Sequence, residues 1–93
     1  MKSTKAITGL QREVIYECLN QIRDAAHMNE NSICYGQHGE HYPLHGNTVW
    51  RLCQEIVKDA IRKAQEHGVL DLVEAAMGSG YVKHIYQIVK EEQ

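Results

Sequence analysis

The sequence predicts an all-α domain: two long antiparallel helices and two shorter C-terminal ones, with a long loop or short β-hairpin inserted at about residues 29–46. Three observations predict it. Apolar residues recur at three- and four-residue spacing over residues 8–28 and 48–67, the period of a helix with one buried face. Glycines fall where such stripes stop, at Gly68, Gly78 and Gly80. Residues 29–46 alone lack helical periodicity over a long stretch, which marks them as the insertion between the two long helices. At 93 residues with 43% hydrophobic and 24% charged residues, the chain reads as one domain, residues 1–93, of ordinary globular composition.

The first helix is expected over residues 8–28. Leu10, Val14, Cys18 and Ile22 recur every four residues, widened by Ile15, Leu19, Ala25 and Ala26. Thr8 followed by Gln11 fits a reciprocal capping box. Asn29 is the expected exit, because asparagine tolerates the left-handed conformation. The second helix, residues 48–67, carries Val49, Leu52, Cys53, Ile56, Val57, Ala60, Ile61 and Ala64 on one stripe. Arg51–Glu55, Asp59–Lys63 and Arg62–Glu66 stand four apart and are expected to pair, each contributing a few tenths of a kcal/mol. Asn47 or Thr48 caps its start, and Gly68 ends it as a left-handed residue with Val69 packing back. Residues 70–77 make two turns of helix, Gly78-Ser79-Gly80 breaks them, and residues 80–91 resume with Tyr81, Val82, Ile85, Tyr86 and Val89 on one side.

Residues 29–46 stand apart. Eighteen residues without helical period are long for a connection in a small domain, and such segments often carry function. Ser32–Tyr35 and Glu40–Leu44 are expected to form a short hairpin, with Pro43 confining the second arm to an edge. Three of the six histidines lie here. Cys34, His38, His41 and His45 have the thiolate and imidazole donors that tetrahedral zinc prefers, so a zinc-binding module is an alternative reading, although no CxxC pair is present. The leading expectation is that no cofactor is needed. Cys34 with His38 and Glu40, or His41, His45 and Asn47, also suggests hydrolytic chemistry. The segment supplies neither an evident oxyanion donor nor basic surroundings, so the chain is read as not an enzyme.

A second candidate opens the last helix. Ser79 and Gly80, followed by Lys83 and His84, place free amides and cationic donors where an anion would sit; the plainer reading is an interhelix turn with Ser79 as N-cap. Residues 70–91 also have the outline of a helix-turn-helix DNA-binding regulator, with Leu72, Ala75, Met77, Val82 and Ile85 buried and Lys83, His84, Gln87 and Lys90 facing the nucleic acid. Charge disfavours that alternative: residues 68–93 hold two lysines against four carboxylates, and the chain carries −2 overall, whereas phosphate binding wants positive charge.

The expectation that remains is a small non-enzymatic binding or regulatory protein, acting through a protein partner and pairing with itself as a homodimer. Tyr35, His38, His41, Tyr42, His45 and Trp50 form its expected recognition surface, since aromatic residues beside an apolar seam suit an interface. Three cysteines without close pairing, no apolar stretch long enough to span a membrane and no secretory leader predict a reduced, cytoplasmic protein with no membrane partner.

Overall fold

The computed structural model describes residues 7–34 and 48–92, with backbone alone for 31–34 and 48. Four helices follow in order: α1 (Gly9–Cys34), α2 (Thr48–Glu66), α3 (Leu70–Met77) and α4 (Tyr81–Glu91). The all-α class and the two-long, two-short order are as the sequence predicts.

Local signals fix both ends of the α1–α2 pair nearest Gly68. The Thr8 amide donates to Gln11 Oε1 at 3.1 Å and the Gln11 amide to Thr8 Oγ1 at 3.0 Å, the expected capping box. At the end of α2, Gly68 has φ +69. Its amide donates to the Gln65 carbonyl at 3.1 Å and that of Val69 to Ala64 at 2.9 Å. This pair of bonds is the Schellman motif, which needs a left-handed residue at its corner. Val69 then turns inward and is buried.

Small side chains line the α1–α2 seam: Cys18, Ala25 and Ala26 from α1, and Cys53, Ala60 and Ala64 from α2, all buried. They bring the helices close enough for side chains of α1 to reach α2 backbone. Cys18 Sγ donates to the Ala60 carbonyl at 3.4 Å, and Gln21 Nε2 to the Ile56 carbonyl at 3.0 Å. With Gln11 Nε2 donating to the His67 carbonyl at 3.2 Å, the order of these contacts makes the pair antiparallel. Leu19, Ile22, Val57, Ile61, Val73, Met77, Ile85, Tyr86 and Val89 complete one continuous core with contributions from all four helices.

The structure corrects four expectations. First, α1 does not leave at Asn29 but runs to Cys34. Asn29 is buried, and its Nδ2 donates to Tyr81 Oη at 2.8 Å; a side chain held by α4 keeps its residue in the helix, against asparagine's local preference. Ser32, Ile33 and Cys34, expected in a hairpin arm, are therefore helical. The rest of that hairpin lies outside the described residues. Second, Leu10 and Leu52 belong to the sequence stripes yet are 61% and 48% exposed. Leu52 shares an edge of α2 with Ile56, Asp59 and Lys63, while Gln54, on the opposite edge, donates to Glu92 beyond the end of α4. The C-terminal helices thus join the other side of α2. Third, Arg62 pairs with Asp59 rather than Glu66; Lys63 keeps the expected ion pair with Asp59 at 4.0 Å and also reaches across to Glu17 at 2.8 Å. Fourth, Ser79 is not the cap of α4. Gly80 is, with φ +124 and ψ −161, following Gly78 at φ +74 and ψ −155. Both conformations lie in a region that only glycine enters cheaply, so the two glycines are required by the turn itself.

Candidate functional site

The recognition and zinc residues divide by where they fall. Tyr35, His38, His41, Tyr42 and His45 lie outside the described residues; Cys34 is the last residue of α1, described as backbone only. Trp50 is half-buried and packs against the core. Tyr16, the other aromatic beside a stripe, is 62% exposed. Among the described residues, no group of three or more His, Cys, Asp or Glu side chains is arranged to hold a metal ion. Burial pushes the Cys53 thiol up to about 11 and raises that of Cys18 as well. Both are packing residues rather than nucleophiles or ligands, which need the thiolate.

Of the four anion-binding candidates, three lie open to water and Lys83 turns toward α3. Ser79 and Gly80 are exposed at the turn and His84 is exposed on α4. Lys83 points back instead, its Nζ 3.5 Å from the Glu74 carbonyl. Its neighbourhood is a cluster centred on the Glu74 carboxylate. Oε2 of Glu74 accepts from the buried Tyr86 hydroxyl and from Lys90 Nζ, and the Lys90 ammonium stands 5.8 Å from the Tyr86 ring centroid. The hydrogen bond from Lys90, followed by that from Tyr86, holds the Glu74 carboxyl below the ordinary range. Desolvation, then the Glu74 contact, raises the Tyr86 phenol. This cluster ties α3 to α4 and spends the cations that the anion and DNA readings would need. Of the residues expected to be buried in a helix-turn-helix, Met77 and Ile85 are, while Leu72 and Ala75 are exposed.

Two other surfaces emerge. Along the open edge of the α1–α2 pair, Lys63 meets Glu17 and Gln21 (Nζ to Oε1, 3.2 Å), and Gln21 donates to Asp59 at 3.1 Å. The hydrogen bond that Lys63 donates to Glu17 leads the causes that raise the Lys63 ammonium. Leu52 prolongs this edge toward the start of α2 as an apolar group in water. At the Gly68 end, an open depression of about 750 Å³ is lined by Ile7, Thr8, Gln11, Glu66, His67, Gly68, Val69 and Leu72. Sequence reading missed this second surface, because its walls come from three segments that only the fold brings together. The single local signal was the Gly68 turn.

No known family model matches the chain, and neither a curated protein nor a solved structure resembles it significantly. None of the described helices is long and apolar enough to cross a membrane.

Proposed function

We propose that the chain is a small helical binding protein that works by docking onto a protein partner. One observation carries the proposal: Leu10, Tyr16, Leu52 and Leu72 keep 44–62% of their surface in water, outside a core that is already continuous through all four helices. The uncovered part of a large apolar side chain contributes nothing to folding and becomes useful when a partner covers it. Leu52, near the start of α2, is the anchor of this reading. It stands one helical turn after Thr48, where residues 35–47 with Tyr35, His38, His41, Tyr42 and His45 rejoin the helices.

The test is affinity capture from the source cells with the wild-type chain, Leu52→Asp and an exposed polar control, Asn20→Asp, each first shown to melt normally. Docking through this edge predicts a captured protein that survives Asn20→Asp and is lost with Leu52→Asp. Sedimentation of the purified chain tells a second copy from a different partner: a dimer that Leu52→Asp dissociates assigns the edge to self-association. A monomeric chain whose captured proteins are the same for all three versions contradicts docking through Leu52.

A further inference from the structure

We infer that the depression at the Gly68 end is a groove for a basic, apolar segment of a partner protein, an assignment that rests on the docking function above and gives it a second surface and a partner chemistry. The walls are apolar and open: Ile7 is 36% and Leu72 44% exposed, on either side of buried Val69. The rim is acidic. Glu66 lines the depression, and Asp71 lines a neighbouring one that shares Gly68. Among the described residues no lysine or arginine lines either. Arg62, the cation spaced to neutralise Glu66, is taken by Asp59 instead. Glu66 is moreover the last residue of α2, the negative end of a helix dipole, where a cation is favoured and a carboxylate is not. A lysine or arginine from outside relieves that repulsion.

The groove is also preorganised. The carbonyls of Lys63, Ala64, Gln65 and His67 already accept hydrogen bonds from His67, Val69, Gly68 and Gln11. An incoming segment therefore meets a fixed surface and pays little to order it. The same acidity turns away the other large binding partners, since nucleic acid and anionic lipid surfaces carry the sign of Glu66 and Asp71. A basic amphipathic helix, laying leucines between Ile7 and Leu72 and cations on the rim, satisfies both features at once.

Titration of the isotope-labelled full chain with a Leu/Lys amphipathic peptide, followed by amide chemical shifts, tests the assignment, with a Leu/Glu peptide of the same pattern as the counter-probe. The expected result is saturable shifts at Thr8, Gln11, Glu66, His67 and Val69 that weaken with added salt, and little response to the Leu/Glu peptide. Glu66→Lys with Asp71→Lys lowers affinity for the Leu/Lys peptide by about tenfold or more. Leu72→Ser lowers it while leaving the salt dependence in place. Shifts centred elsewhere, or affinity unchanged in the charge-reversed chain, overturn the groove. If a partner captured through Leu52 also binds the charge-reversed chain normally, the docking function stands and this assignment alone falls.

Discussion

The α1–α2 pair and the α3–α4 arm are built on different principles, although they share one core. The pair is held along its length by small side chains that let the two backbones approach, and its polar contacts, at Gln11, Cys18, Gln21 and Lys63, are spread over many positions. The arm contributes Val73, Met77, Ile85, Tyr86 and Val89 to the same core. Its two helices, of 8 and 11 residues, are joined by a turn with two glycines in glycine-only conformations and tied by one carboxylate, that of Glu74. The difference separates a frame, whose stability is distributed and apolar, from an appendage whose internal order depends on charge. Leu72, a wall of the groove, belongs to the appendage; Leu52 belongs to the frame.

The largest effect should come from breaking the frame. Ile22 is fully buried on α1, and Ile22→Ala removes its contacts and leaves a cavity, a loss of about 2–5 kcal/mol. Urea melts should show it as a lower midpoint with an unchanged slope, and both parts of the molecule should unfold together. A variant in which α3 and α4 melt separately from α1 and α2 would show that the core is not continuous.

A smaller effect should come from the arm. Glu74→Gln keeps the shape but loses the ionic part of two hydrogen bonds, about 1–2 kcal/mol for a carboxylate still partly open to water. The sign with pH follows from the lowered carboxyl. A group whose folded value is depressed stabilises the fold above its unfolded value, and that contribution fades as pH falls through the folded one. Wild type and Glu74→Gln should therefore differ at neutral pH and converge in acid. A constant gap across that range would mean that the carboxylate's charge is not what ties the arm.

The smallest effect should be at the capping box. Thr8→Ala removes one acceptor at an exposed helix start, worth about 0.5–1 kcal/mol. Amide exchange should quicken in the first turn of α1 and leave α4 unchanged. Faster exchange throughout would show the cap to be coupled to the whole fold.

What was legible in the sequence follows the same division. Thr8–Gln11 and Gly68–Val69 were readable because their partners are at most a few residues away and the bonds depend on local geometry. Asn29 was misread because its deciding partner, Tyr81, lies 52 residues on, and no local propensity carries that information. Leu10 and Leu52 fit the helical period but exceed the number of positions that neighbours cover; which edge of α2 receives α3 and α4 is a tertiary fact. The packing of Trp50 against the core is likewise not visible in spacing. The groove was hidden most completely, because residues 7–11, 66–69 and 72 meet only after α1 and α2 pair and Gly68 reverses the chain.

The central claim is that exposed apolar side chains on this rigid frame serve a partner, and Leu52 tests it most directly. Capture with wild type, Asn20→Asp and Leu52→Asp, at matched stability, should give a bound protein, or a second copy of the chain, that disappears only with Leu52→Asp. A chain that stays monomeric and captures the same proteins with aspartate at that position would contradict the account.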